Sequence, residues 1–156
     1  MTLQFDLITN DYPYHLLLLA DETVEAIDQY LFDSSVYKVR YRDETVGVLC
    51  LLPLDEKTVE LKNIAVSESH EVVGLGSKII DFIKSLTRNQ YQKLIVGTPD
   101  IAHRQIRFYE RNGFVKYGVR KNFYIENYSA PIIEDGVQLR DMVLLAYGLN
   151  LQADAV

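Results

Sequence analysis

Two glycines that follow a predicted strand mark the segment of this chain best suited to chemistry. The chain runs from an apolar strand over residues 60–66 through a loop into Gly74-Leu75-Gly76-Ser77-Lys78, where a helix is predicted to begin. The first amides of a helix lack internal acceptors, and the helix dipole adds partial positive charge there. Glycine also lets an anion approach the backbone closely. The segment therefore favours a phosphate site at the helix N-terminus.

Other glycine-rich phosphate patterns do not fit this segment. A P-loop needs Gly-Lys-Ser or Gly-Lys-Thr, whereas Gly76 is followed by Ser77 and only then by Lys78. The dinucleotide fingerprint needs a third glycine, and Ile79 occupies that position. The glycines alone leave a structural alternative open, in which they only allow a helix to pack closely on a strand.

A second motif changes this balance. The run Arg107-Phe-Tyr-Glu-Arg-Asn-Gly-Phe114 closes a predicted helix and enters a strand. Together with Gly74-Leu75-Gly76, it resembles the GNAT superfamily of acetyl-CoA-dependent N-acetyltransferases, and the likeness extends over residues 60–114. The later segment 124–144 is similar to a subgroup of bacterial small acetyltransferases. The resemblance implies acetyl-CoA as the acyl-donor cosubstrate.

The resemblance also implies which residues hold the coenzyme. The strand whose backbone pairs with the pantetheine arm is matched by Ile64, Ala65 and Val66. The loop whose amides hold the pyrophosphate is matched by Val72, Val73, Gly74, Leu75 and Gly76, with Ser77 next in line.

Two positions depart from the family pattern. Glu71 stands where the loop usually opens with Gln or Arg, and a carboxylate near a pyrophosphate is repulsive unless it points away or a cation intervenes. Ala102 and His103 stand where the later helix usually offers an Asn. Both departures bear on the affinity for coenzyme A.

Two catalytic side chains follow from the same resemblance. Tyr109 matches the tyrosine that gives a proton to the departing sulfur, and Glu60 sits where many relatives carry a glutamate general base. A lysine-like amine, with a pKa of about 10.4, must lose a proton before it attacks a thioester. A solvent-facing Glu60 and a core-packing Tyr109 are the structural alternatives. An amide beside a strand irregularity around Ala65 and Val66 is expected to stabilise the oxyanion.

The remaining reactive side chains indicate no second chemistry. His15, His70 and His103 are scattered without zinc-ligand spacing, so no metal is expected. The single cysteine, Cys50, lies in an apolar strand and is predicted to be a small core residue. Because no activated nucleophile or Gly-x-Ser-x-Gly elbow is visible, we expect direct transfer without an acetyl-enzyme.

Several aromatic and acidic residues fall in or beside a long late segment. Tyr117, Tyr124 and Tyr128 could wall an acceptor site and bind a cation over a ring face. Glu134 and Asp141 could attract an amine. Packing of the rings against the loop, and solvation of the carboxylates, are the alternatives.

The elements that position these residues follow from the apolar pattern. Strands are predicted over 3–8, 36–41, 46–52, 58–66, 93–96, 115–119 and 142–147, and helices over 15–32, 74–86 and 101–111. Residues 21–23 could divide the first helix, Asn112-Gly113 is a stop signal, and residues 120–141 are expected to form a long irregular, functional loop. The helix between the fourth and fifth strands makes them parallel. The predicted class is α/β (α+β), with a mixed, mostly antiparallel sheet of about seven strands and flanking helices.

Length and charge exclude several protein classes. The 156 residues predict one domain over 1–149 and a C-terminal tail over 150–156. Sixteen Lys and Arg against 22 Asp and Glu give a net charge of -6, which argues against nucleic-acid binding. No apolar run approaches the roughly 18 residues of a membrane span, and no signal peptide is visible, so we expect a cytoplasmic protein without a membrane partner.

The sequence therefore predicts an N-acetyltransferase that moves acetyl from acetyl-CoA to a primary amine of a small molecule or peptide. The alternative is a catalytically decayed coenzyme-A-binding sensor or interaction module, which Glu71 and Ala102 keep open. The identity of the amine and the acyl-chain preference are not specified. A homodimer is also left open.

Overall fold

A computed structural model describes residues 2–70 and 74–149. Its strands are Gln4–Ile8 (β1), Ser35–Tyr41 (β2), Glu44–Pro53 (β3), Thr58–Val66 (β4), Lys93–Pro99 (β5), Val115–Arg120 (β6), Ile133–Glu134 (β7), Val137–Gln138 (β8) and Met142–Gly148 (β9). Its helices are Tyr14–Ala20 (α1), Val24–Leu31 (α2), Leu75–Thr87 (α3), His103–Arg111 (α4) and Phe123–Glu126 (α5), and a 3-10 turn covers Glu68–His70. The predicted tail, 150–156, lies outside the described residues.

Seven strands form one sheet in the order β1-β2-β3-β4-β5-β9-β6. The pairs are antiparallel except for β4 and β5, which are parallel as the connecting helix α3 requires. This confirms the predicted mixed, mostly antiparallel seven-stranded sheet. β5, an almost wholly apolar strand, lies in the interior of the sheet between β4 and β9.

The β4–β5 pairing ends early. The parallel register covers only Thr58–Leu61 against Lys93–Val96, although β4 continues to Val66 and β5 continues to Pro99. Beyond Leu61 the two strands diverge, so the β5-facing edge of β4 has no strand partner in the described part of the chain. Backbone N–H and C=O groups on such an edge are available to a ligand.

Helices cover both faces of the sheet. Apolar residues of α3 and α4 pack on one face, where the fully buried side chains include Ile79, Ile80 and Ile83. On the other face α1 and α2 bury Leu17, Ile27 and Leu31 against β3 and β4. The apolar stripe of each helix thus finds the core that its 3.6-residue spacing requires.

Local signals set the helix ends. The predicted division of the first helical region is confirmed: α1 ends at Ala20, and Thr23 caps α2 by accepting the Ala26 amide proton at 3.1 Å. The predicted stop of α4 is also confirmed, because Gly113 follows the helix with a φ of 92°.

The late segment 120–141 is more ordered than predicted. It contains the short helix α5 and a hairpin, β7–β8, whose turn places Asp135 and Gly136 at φ values of 50° and 79°. Two successive left-handed residues suit a tight hairpin turn, and Asp-Gly is a favoured pair there. A small third core holds the segment down and consists of Tyr124, Ile132, Leu139, Met142 and Leu144.

Candidate active site

A cleft of about 640 Å3 opens where β4 and β5 diverge. Its walls come from the α1–α2 connection, from the β4 residues Leu61–Ile64, from the end of β5, from α4 and from the segment that follows β6. This volume is in the range of small-molecule sites. The divergence of β4 and β5 therefore opens the cavity, and the positions of the predicted catalytic residues can be described relative to it.

Tyr109 lines this cleft from α4. It is 7% exposed, and its ring makes edge contacts with Phe108 and Phe114 at centroid distances of 5.2 and 5.6 Å. Burial raises the pKa of the Tyr109 phenol well above its ordinary value. The hydroxyl therefore keeps its proton at neutral pH, which is the form that can donate.

Glu60 lies deeper in the sheet and is not one of the cleft-lining residues. Its side chain is 3% exposed, and its two carboxylate oxygens each accept a hydrogen bond from Arg120 at 2.9 Å. Lys62 Nζ lies 3.6 Å from Glu60 Oε2. The solvent-facing alternative for Glu60 is therefore wrong: the carboxylate is buried within a cluster of charges.

The predicted pantetheine residues follow the point where β4 leaves β5. Ile64 lines the cleft, Ala65 is buried, and all three of Ile64, Ala65 and Val66 pair in regular register with β3. The expected irregularity around Ala65 and Val66 is absent. The register shift instead lies between Cys50 and Leu51 of β3, opposite Lys62 of β4, and it brings an extra residue into the β4 wall of the cleft.

Part of the predicted pyrophosphate loop is described. Gly74 precedes α3 with a φ of 92°, and Leu75, Gly76 and Ser77 form the first helical turn, which carries no acidic residue. Val72 and Val73, together with Glu71, lie outside the described residues. A Cβ on Gly76 would come within 3.1 Å of the Phe108 ring, so Gly76 also serves the packing role considered as the alternative.

The structure also shows where Ala102, the second departure from the family pattern, lies. Ala102 stands at the N-cap of α4 without a capping side chain and lines the cleft, and His103 begins the helix as an exposed residue. The Asn that the family pattern usually has near this position would carry a side-chain amide. The smaller Ala102 side chain leaves more room at this wall of the cleft.

A hydrogen-bonded network lies in the wall of the cleft formed by the α1–α2 connection and the segment after α5, and the sequence did not predict it. Asp21 accepts from the Tyr30 hydroxyl at 2.9 Å and from the Tyr128 hydroxyl at 2.6 Å. Asn63 in turn donates to the Tyr30 oxygen at 3.1 Å and to the Leu17 carbonyl at 3.0 Å. Burial, followed by the Asp21 charge and hydrogen bond, raises the pKa of both phenols.

The aromatic wall is only partly as predicted. Tyr124 and Tyr128 line the cleft, and their rings stack at a centroid distance of 5.9 Å. Tyr117 does not line it: that side chain is 49% exposed and carries Lys93 Nζ over its ring at 5.1 Å. Tyr117 is the extra residue at the register shift of β6, between Lys116 and Gly118, and has no partner in β9.

The acidic residues also divide. Glu134 lines the cleft together with Glu22, and burial followed by the charge of Glu134 raises the pKa of Glu22. Asp141 is instead a structural residue, because its carboxylate accepts the Asn122 amide proton at 2.8 Å.

No metal centre is formed by the described residues: among 2–70 and 74–149, no His, Cys, Asp and Glu side chains group so as to hold an ion. Cys50 is fully buried, and burial raises the pKa of its thiol to about 12. The prediction that Cys50 is a core residue is confirmed. Within the same residues, no helix is long and apolar enough to cross a membrane.

Comparison with known proteins agrees with this geometry. The family model described as an acetyltransferase (GNAT) domain matches residues 32–116. An uncharacterized N-acetyltransferase, YvbK of Bacillus subtilis strain 168, is 36% identical over 138 residues, which are 88% of this chain and 89% of that protein.

Two solved structures extend the likeness to ligand-bound proteins. A GNAT family acetyltransferase from Elizabethkingia anophelis with acetyl-CoA bound is 38% identical, covers 95% of this chain and 97% of its own, and superposes with a TM-score of 0.88. A Bacillus subtilis acetyltransferase in complex with CoA is 35% identical, covers 95% and 99% of the two chains, and has a TM-score of 0.83.

Proposed function

The chain belongs to the GNAT family of N-acetyltransferases with acetyl-CoA as cosubstrate, and from that premise we propose that it acetylates the primary amine of a small molecule or a peptide. Residues 1–149 would be its acetyltransferase domain. One observation carries the proposal: the strand edge left unpaired where β4 departs from β5 borders the same cleft as the protonated Tyr109. An acyl donor on that edge and an amine in the cleft would meet beside a proton donor.

Coenzyme A would be held by backbone groups. At the free edge of β4, the N–H and C=O groups of Ile64 and Val66 can pair with the pantetheine amides, whereas those of Ala65, between them, face Val48 of β3. The amides of Leu75, Gly76 and Ser77 are the first of α3 and have no intrahelical acceptors, so they suit the pyrophosphate. By resemblance, Val72, Val73 and Gly74 complete that loop.

Tyr109 is the proposed general acid. Acetyl-CoA supplies the acetyl thioester; attack by the amine releases a sulfur that needs a proton. Tyr109 lines the cleft, and its raised pKa keeps the phenol protonated, so that it can donate a hydrogen bond to the sulfur as negative charge develops there.

Glu60 is the proposed general base, as the resemblance implies. Each of its oxygens accepts one hydrogen bond from Arg120 and keeps a further lone pair, on which the carboxylate could take a proton directly or through water. The same carboxylate holds Arg120, and it lies 3.6 Å from Lys62 Nζ in the cleft wall. Transfer is proposed to be direct, because the buried Cys50 thiol, with its raised pKa, is not a reactive nucleophile.

Two measurements test the proposal. Titration calorimetry with coenzyme A should show binding, and free-thiol release from acetyl-CoA should depend on an added amine from a broad panel. Absence of coenzyme binding at millimolar ligand would contradict the whole proposal. Binding without transfer to any amine would instead favour the decayed sensor or interaction module.

A further inference from the structure

Lys62 places an ammonium group in the wall of the cleft. Its side chain is 15% exposed, and Nζ lies over the Tyr30 ring at 5.3 Å and over the Phe123 ring at 5.6 Å. The two rings offer the electron-rich faces that attract a cation. The group is therefore held at a fixed position and largely removed from water.

The charge of Lys62 is not fully compensated by its neighbours. In the described part of the chain, Glu60 is the carboxylate within ion-pair distance, and its oxygens already accept from Arg120 at 2.9 Å while Lys62 Nζ lies at 3.6 Å. One carboxylate thus serves two cations, and the three side chains sum to one positive charge. A charge removed from water is costly unless it is paired and hydrogen-bonded.

The other acidic residues of the cleft do not complete this cluster. Asp21, Glu22 and Glu134 line the cleft, yet none forms an ion pair with Lys62 among the described contacts. Asp21 is engaged by the Tyr30 and Tyr128 hydroxyls. The ammonium therefore has donor capacity for an anionic group that enters the cleft from outside.

We infer that the acceptor amine carries a carboxylate, and that Lys62 binds this carboxylate while the amine faces the acetyl group. The inference rests on the proposed function and narrows its substrate class to amino acids and related amine-carboxylates. Lys62 is then a specificity-determining residue, because it makes one end of the acceptor recognisable without taking part in proton transfer.

Three amines of equal length test whether the cleft recognises a carboxylate, an apolar end or a second ammonium group. ε-Aminocaproate, hexylamine and hexamethylenediamine share a primary amine and a six-carbon chain, and they end in a carboxylate, a methyl group and a second ammonium. We expect ε-aminocaproate to show a KM about tenfold or more below that of hexylamine, which is the size of one charge-assisted hydrogen bond. Equal KM values would overturn the inference, and so would a preference for the diamine, which would assign recognition to the carboxylates of Asp21, Glu22 and Glu134.

Variants of Lys62 supply the second arm. Lys62→Gln should remove the preference for ε-aminocaproate, and Lys62→Arg should retain most of it. Lys93→Gln is the matched control, since Lys93 also lies over a tyrosine ring but outside the cleft. Unchanged preference in Lys62→Gln, in protein that still binds coenzyme A, would contradict the assignment.

A binding measurement keeps this inference separate from the proposed function. Calorimetric titration of ε-aminocaproate and hexylamine into the enzyme saturated with coenzyme A needs no acetyl transfer. Tighter binding of ε-aminocaproate that Lys62→Gln abolishes would support the inference even if thiol release fails. If thiol is released but the two probes bind with equal affinity, the proposed function stands and the inference is overturned.

Discussion

Tyr128 donates its hydroxyl proton to Asp21 Oδ1 at 2.6 Å across 107 residues of chain. The bond joins the α1–α2 connection to the segment after α5, and both residues line the cleft. A phenol bonded to a carboxylate is a charge-assisted pair, which is stronger than a bond between neutral groups. The bond therefore joins two segments of the cleft wall that are far apart in the sequence.

Tyr128→Phe should loosen this link. We expect a loss of about 1.5 kcal/mol in the free energy of unfolding, measured in urea, because one hydrogen bond to a charged group is removed. The KM for the acceptor should rise while the affinity for coenzyme A stays constant. Tyr117→Phe, at an exposed ring outside the cleft, is the control and should change neither quantity.

Tyr109→Phe should separate catalysis from binding. Removal of a general acid costs about 100-fold or more in rate, so kcat should fall by that amount. The affinity for coenzyme A should change little, since the ring and its contacts with Phe108 and Phe114 remain. Parallel losses in kcat and in coenzyme affinity would assign Tyr109 to binding or packing instead.

The pH profile of the wild-type enzyme follows from the raised pKa of Tyr109. A phenol donates only in its protonated form, which persists below the folded-state pKa, and that pKa lies above the ordinary value of about 10. Deprotonation of Tyr109 should therefore cause no decline of kcat between about pH 7 and pH 10. A decline in that window that disappears in Tyr109→Phe would be incompatible with the buried, protonated phenol.

Glu60→Gln tests the proposed base. If the carboxylate takes the proton of the amine, kcat/KM near neutral pH should fall by about 100-fold. Arg120→Gln is the matched variant, because it breaks the same ion pair but leaves the carboxylate. We expect Arg120→Gln to retain more activity than Glu60→Gln. Equal losses would make Glu60 a positioning residue.

Gly47→Ala should disturb the coenzyme strand from behind. A Cβ on Gly47 would lie 2.8 Å from the carbonyl oxygen of Ala65, so the backbone of β4 must shift where coenzyme A is proposed to pair. We expect a loss of about 1–3 kcal/mol in stability and weaker coenzyme binding. Gly118→Ala is the control, since its Cβ would meet only ordinary contact with Leu144 at 3.7 Å. Full coenzyme affinity in Gly47→Ala would argue against pairing of coenzyme A with the neighbouring residues Ile64 and Val66.

The sequence predicted the sheet well because its strands carry strong local signals. The bounds of β4 are those expected from apolar residues that end at a loop, and the crossing helix α3 dictated the parallel neighbour. The hairpin β7–β8 was missed although Asp135-Gly136 is a recognised turn pair, because only two residues pair on each side of the turn.

The charged cluster of Glu60, Arg120 and Lys62 could not be predicted. Glu60 and Arg120 are 60 residues apart, and no local pattern relates a strand glutamate to an arginine at the end of another strand. Lys62 was within reach of a pattern argument, because it follows Glu60 by two positions on the same strand. Its inward placement still depends on rings from Tyr30 and Phe123, which only the tertiary structure brings together.

The early end of the β4–β5 pairing divides the sheet into a group of four strands and a group of three. The two groups are joined only by the short pairing of Thr58–Leu61 with Lys93–Val96. A pantetheine arm bound in that opening would contact both groups of strands and hold them together. Binding of coenzyme A should then stabilise the sheet. Amide protons of β4 beyond Leu61 would exchange more slowly, and the melting temperature would rise with coenzyme concentration.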